Sequence, residues 1–238
     1  MPTRTVAIVN YALISVNVVG FVLERTAIAG GVEPSALLET WGLVPARLLV
    51  DPTTAIETVF TSMFMHDPTN LMHVGGNMLF LWIFGDNVED AMGHIRYLSF
   101  YVLGGASAAA AQILVDPTST MPMVGASGAI SAVLAAYVFL YPRSPITVIN
   151  PIPLLWLFWG IFLYFPAWLV IGEFFLVNLW SALASTSSQG GVAFVAHVGG
   201  FVAGAVLWRT FLGGRPRVDD YSRWQQWARS SRPGERWR

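Results

Sequence analysis

The sequence predicts an all-α membrane protein, a bundle of six transmembrane helices, on three observations. Of its 238 residues 55% are hydrophobic and 11% charged, with a mean hydropathy of +0.57, whereas soluble domains carry roughly 25% charged residues. So little polar surface cannot cover a soluble globule of this length. Between Arg143 and Arg209 the only full charge is Glu173, and a crossing of the hydrocarbon core takes about 20 mostly apolar residues, so this stretch alone holds at least two crossings. Charges and turn residues then punctuate the chain into six apolar segments, about 6 to 23, 71 to 85, 96 to 115, 126 to 141, 164 to 184 and 193 to 208.

The first segment is read as a retained span rather than a signal peptide, because no small-residue cleavage pattern precedes Glu24-Arg25. With the amino terminus inside, the inner side holds Arg4, Arg96, Arg143, Arg209 and the seven arginines of the tail, against Arg25 and Arg47 outside. The positive-inside rule then puts both ends in the cytoplasm of a cell (plasma or inner) membrane that the chain crosses several times. Residues 24 to 70 form a long external segment. Within it Ala36 to Val50 mixes Leu, Trp and Val with Glu39 and Arg47, as an interface-lying helix or a surface loop would. Residues 144 to 163 are apolar but broken by Pro145, Pro151 and Pro153, and are read as a re-entrant or interfacial piece. A true span there would invert everything downstream. The chain divides into a membrane domain, 1–212, and a cytoplasmic tail, 213–238, whose arginines and Trp224, Trp227 and Trp237 suit anionic headgroups or a disordered solubilising end.

Several chemistries are excluded. Without cysteine there is no disulfide and no thiolate metal site. There is no His-Glu-x-x-His zinc pattern, and no two aspartates face each other within spans, Asp86 and Asp90 falling in an inner loop. No metal and no cofactor is expected. A net charge of -1 argues against a nucleic acid partner, and nothing in the sequence sets an oligomeric state.

Polar groups inside a bilayer are costly and mark function. His73 and Asn77 open the second helix at spacing i, i+4, on one face. Gly125-Ala126-Ser127-Gly128 begins the fourth, and Ala196-His197-Val198-Gly199-Gly200, followed by Gly204, begins the sixth. Counted from the inner anchors Asp86, Arg143 and Arg209, His73 stands about 20 Å up, Ser127 about 24 Å and His197 about 18 Å, at about 1.5 Å per residue. They share a level, sunk roughly 6 to 12 Å below the outer surface of a core about 30 Å thick. Gly128, Ala129, Ala132 and Ala135, with Gly200 and Gly204, form small-residue stripes that let the fourth and sixth helices approach closely.

A serine hydroxyl is a weak nucleophile until a base takes its proton, and neutral imidazole suits that task. His197 is the histidine available to Ser127. Donors for an oxyanion are the Ser127 N–H at a helix amino terminus, His73 and Asn77. No acid lies near His197 at this depth, which indicates a Ser-His dyad rather than a triad. Taken singly each part has a bland explanation: Gly-x-Ser-Gly is often tight packing, and membrane histidines and asparagines often only tie helices together. Their occurrence at one depth, on helices that all run inward, favours chemistry. Glu173 is assigned a structural role, and His66 and His94 are placed in loops without a catalytic part.

These residues resemble the rhomboid family, from Thr61 to His66, through His73 to Asp90 and Gly125 to Ile130, to Gly190 to Phe201. The resemblance implies a six-helix rhomboid-like bundle that cleaves transmembrane protein substrates within the lipid bilayer. It implies Ser127 as nucleophile, His197 as base, and oxyanion support from His73 and Asn77, with Gly125 shaping the oxyanion hole. It also implies that residues 164 to 184 and the loop Ser185 to Gly191 form the mobile side and cap through which substrate enters. Two departures stand out. A Trp-Arg pair that some members carry in the first external loop is missing, and Ser131 stands where some members have a tyrosine. Two other functions compete: a catalytically silent rhomboid-like protein that binds membrane clients, which predicts loss of the serine or base, and a transporter, which predicts charged groups at several depths.

Overall fold

The computed structural model describes residues 3, 5–150, 152, 160–184 and 192–213. The predicted tail from 214 onward and the loop Ser185 to Gly191 lie outside them.

Helix α1 (Ile8–Ala29) outruns the end expected at Glu24-Arg25. The charges do not stop it because both find partners: the buried Glu24 carboxylate accepts from the His66 N–H (3.2 Å), and Arg25 Nη1 donates to the Pro68 carbonyl (2.9 Å). The helix stops at Gly30, whose N–H returns to the Thr26 carbonyl, followed by Gly31 at φ +97°. Four short helices follow, α2 (Pro34–Trp41), α3 (Pro45–Val50), α4 (Pro52–Ala55) and α5 (Thr58–Thr61). The expected helix over 36–50 is thus two pieces. Gly42 ends α2, Pro45 opens α3, and between them buried Leu43 exchanges hydrogen bonds of 3.0 and 2.8 Å with Met123.

Helix α6 (Leu71–Phe80) starts where the Asn70 side chain accepts from the Met72 N–H. It runs through a π-helical turn, Leu81–Gly85, into α7 (Asp86–Met92), which Gly93 ends at φ +85°. Asp86 and Asp90 are therefore helical, not in a loop as expected. Here α7 caps α1: Glu89 accepts from the Val9 and Asn10 N–H groups (3.0 and 2.6 Å), and Asp90 from the Thr5 N–H (3.0 Å). Carboxylates there satisfy free donors and oppose the positive end of the helix. Asn10 donates in turn to the Leu81 carbonyl in the π turn and accepts from the Tyr97 hydroxyl.

Helix α8 (His94–Val115) and helix α9 (Ser127–Leu140) follow, and every residue of α9 from Gly128 to Tyr137 is buried. The described parts of the segment read as a re-entrant or interfacial piece form a hairpin, β1 (Pro145–Ile149) against β2 (Phe162–Pro166), antiparallel with Thr147 opposite Tyr164, while 151 and 153–159 lie outside the described residues. This small sheet is the departure from an all-α bundle. Its β-branched and aromatic residues favour extended chain, and the prolines sit at its ends, where a missing donor matters least. Strands of five residues do not span a bilayer. The hairpin brings the start of α10 (Ala167–Ala184) back to the end of α9, where the Ala167 N–H donates to Ser144 (2.8 Å) and that of Trp168 to Pro142 (3.0 Å). Helix α10 therefore starts beside the end of α9. Helix α11 (Val192–Leu207) is the last helix among the described residues.

Helices α1, α8 and α10 are long and apolar enough to cross a membrane, and α9 and Phe194–Leu207 of α11 are shorter apolar helices. The contact between α8, α9 and α11 uses residues with little or no side chain. Gly104 of α8 faces Ala132, Gly128 faces Ala108, Gly199 faces Ala111, and Gly200 and Gly204 press on the backbones of Gly128 and Ala132. A Cβ at Gly200 would collide with the Gly128 carbonyl oxygen. Gly200→Val should lower the thermal unfolding midpoint in detergent, with an overpacking cost of about 1–3 kcal/mol. Gly172→Ala, where a Cβ meets nothing within 4 Å, should leave the midpoint unchanged or slightly raised.

Candidate active site

Ser127 is the first residue of α9, and the chain reaches it through Gly125 at φ +121°, a conformation L side chains rarely adopt. The Gly125 N–H donates to the Ser62 carbonyl (2.8 Å), so this turn is pinned to the segment after α5. A Cβ at Gly125 would lie 2.8 Å from His73 Nε2 and 3.6 Å from Ser127 Oγ. The glycine thus lets serine and His73 share one space.

His197, one turn into α11, stands with Nε2 2.8 Å from Ser127 Oγ and Nδ1 2.6 Å from Asn178 Oδ1 on α10. Ser127, His197, His73, Asn77 and Gly125 all line one cavity of about 540 Å³. The structure therefore brings together every residue singled out for the site. His73 Nδ1 accepts from the Asp67 N–H (3.3 Å), so its neutral ring carries the proton on Nε2, the nitrogen that faces Gly125. Asn77 Nδ2 lies 3.1 Å from His66 Nε2.

His66 lies in a loop, as expected, but it is fully buried there, edge-on to His73 at 5.2 Å between ring centroids, and holds Asn77. Burial, with the neighbouring His73 adding to it, pushes its imidazole down to about 4. A neutral ring can accept from the Asn77 amide, which leaves the amide's second hydrogen for the cavity. His94 opens α8 and bonds Glu89 near the capped end of α1, away from this site. Glu173 is exposed on α10 and lies outside the cavity lining, while the buried polar residue of that helix is Asn178. Sequence reasoning missed Asn178 because it sought an acid near His197, yet an amide in so apolar a segment was itself a signal. An aromatic ring does lie near His197, but from α10: Phe174, centroids 6.0 Å apart and tilted by 39°. Ser131, in the position of the missing tyrosine, donates to the Ser127 carbonyl (2.8 Å). No cluster that could hold a metal ion is found among the described residues.

Fold and site define a helical membrane protein with a serine and a histidine hydrogen-bonded in an internal cavity. Comparison with known proteins matches residues 54–214 to the rhomboid domain. The chain is 26% identical over 204 residues to Rhomboid protein 1, mitochondrial, of Saccharomyces cerevisiae, covering 82% of this chain and 51% of that one. It is 27% identical over 179 residues to RHOMBOID-like protein 12, mitochondrial, of Arabidopsis thaliana, covering 68% and 48%. It is 30% identical over 162 residues to Rhomboid protease AarA of Providencia stuartii, covering 61% and 52%. The chain spans about half the length of these curated relatives. It belongs to the rhomboid family.

The neutral His66 carries a pH dependence. Its imidazole protonates near 6.5 when free and near 4 in the fold, so it contributes stability above pH 6.5 that is lost as pH falls toward 4. Between those values the unfolding midpoint of wild type should fall relative to that of His66→Gln, which keeps an acceptor for Asn77 but cannot titrate, when both are followed by thermal unfolding across that range; the buried Glu24 and the other titrating groups are common to both proteins and drop out of the comparison.

Proposed function

We propose that this protein is an intramembrane serine endopeptidase that hydrolyses peptide bonds of transmembrane protein substrates with a Ser127–His197 dyad. The observation that carries this is the 2.8 Å contact of His197 Nε2 with Ser127 Oγ inside a cavity large enough for a peptide segment. His197 takes the hydroxyl proton as Ser127 Oγ attacks the scissile carbonyl, and returns it to the leaving amine. The acyl-serine is then hydrolysed by water activated at the same nitrogen. Negative charge on the tetrahedral oxygen is met by the Ser127 N–H at the start of α9, by His73 Nε2–H and by the Asn77 amide, with Gly125 keeping the space open.

In this proposal the chain crosses the bilayer six times, by α1, by the run from α6 to α7, and by α8, α9, α10 and α11. Residues 1–212 are the membrane domain and 213–238 its tail, with both ends in the cytoplasm of a cell membrane. The hairpin's return of α10 to the end of α9 supports that topology. Relatives with mitochondrial names leave the choice of membrane to localisation of the full chain.

Reconstituted with a single-span substrate, wild type should cleave, while Ser127→Ala and His197→Ala should lose activity by about 10² to 10⁴-fold or more, the contribution of a positioned base, and remain folded. A fluorophosphonate should label Ser127 alone. Equal cleavage by Ser127→Ala ends the assignment. Absence of cleavage and of labelling in wild type leaves the silent, client-binding alternative.

A further inference from the structure

Dyad chemistry leaves unexplained why a buried amide on a different helix meets the other side of the base. Asn178, 7% exposed, donates from Nδ2 to the carbonyl of Phe174 one turn earlier in α10 (2.8 Å), and its Oδ1 lies 2.6 Å from His197 Nδ1. Exchanging the two ends of the amide would set its oxygen against the Phe174 carbonyl oxygen, two acceptors with no proton between them. The Phe174 contact therefore fixes which end faces the imidazole. An amide oxygen only accepts, so His197 Nδ1 must carry the proton. A neutral imidazole holds one proton, so Nε2 is bare, with its lone pair toward the Ser127 hydroxyl. In the other tautomer Nε2–H would face Ser127 as a donor and could not take its proton.

We infer that Asn178 is a positioning residue for the base: by accepting from Nδ1–H it holds His197 in the tautomer and ring orientation that proton abstraction from Ser127 requires. This rests on the reading of Ser127 and His197 as nucleophile and base. The amide also accepts from the imidazolium formed once the proton has moved, a charge-assisted bond stronger than the neutral one. Because Asn178 belongs to α10 and His197 to α11, the bond joins two helices at the site.

The test uses the full chain reconstituted with a single-span substrate, and compares wild type, Asn178→Leu and Asn178→Asp. In Asn178→Leu, kcat and the rate of fluorophosphonate labelling at Ser127 should fall together by about 10- to 100-fold, less than the roughly 10²–10⁴ that the base itself contributes, with KM changed by less than about twofold. Asn178→Asp keeps an acceptor and should recover most of the labelling rate, and its carboxylate should move the acid limb of the pH profile to higher pH. Independently of activity, imidazole ¹⁵N shifts assigned by difference from His197→Ala should report the Nδ1–H tautomer in wild type and a mixture in Asn178→Leu. Wild-type rates in Asn178→Leu, a change in KM alone, a loss that aspartate does not rescue, or an unchanged tautomer would each overturn the inference. A wild type that neither cleaves nor labels would instead overturn the protease proposal, and the ¹⁵N measurement would still decide the tautomer.

Discussion

Everything at the site depends on how closely three helix backbones approach. From Gly128 to Tyr137 helix α9 is buried on all sides, and α8 and α11 come closest to it where Cβ atoms are absent or small: Gly128 under Ala108, Gly200 over Gly128, Gly204 over Ala132, Gly104 against Ala132. In a bilayer no hydrophobic gain draws helices together, since lipid is as apolar as leucine. Close packing and hydrogen bonds must do so. The geometry that satisfies packing also sets Ser127 and His197 in contact, because Gly128 follows the serine and Gly200 lies one turn after the histidine. The reactive pair is a by-product of the tightest contact in the fold.

Two imidazoles share the cavity in opposite protonation patterns, and in each case a partner on the far side decides. At His73 the Asp67 N–H donates to Nδ1, leaving a proton on Nε2; at His197 the Asn178 oxygen accepts from Nδ1, leaving Nε2 bare. One ring is thereby a donor to the cavity and the other an acceptor within it. No charged side chain is needed for this difference, only a backbone amide and a fixed carboxamide. Around them, the segment from Ser62 to Asn70 is tied to α1 through Glu24 and Arg25 and to the turn before Ser127 through Gly125. This connecting chain thus buttresses the donor side of the site.

Much of this was legible in the sequence, because apolar runs long enough to cross a bilayer leave few places for polar groups, and those places named Ser127, His197, His73 and Asn77, while the part of Gly125 came from the family resemblance. What stayed hidden were pairings made across long separations. Glu24 looked like the end of a helix because its partner, the His66 N–H, lies 42 residues away. His66 looked idle for the same reason, its role being to hold Asn77. Residues 145–149 and 162–166 read as apolar and proline-broken, a pattern that fits a hairpin, a re-entrant loop or an interfacial coil equally until the strands are seen to pair. Asn178 escaped a search for acids, although an amide oxygen can orient an imidazole without carrying charge.

The π-helical turn at Leu81–Gly85 bears on how this chain can vary. Such a turn holds one residue more than an α-turn, and each α-helical residue advances the helix by about 100°. Above it, His73 and Asn77 look into the cavity; below it, Asn87, Glu89 and Asp90 look toward α1 and the core. The extra residue reconciles those two bearings within one unbroken helix. Loss of a single codon between Leu79 and Asp86 would swing one half against the other by about a quarter turn, so this stretch tolerates changes of letter far better than changes of length.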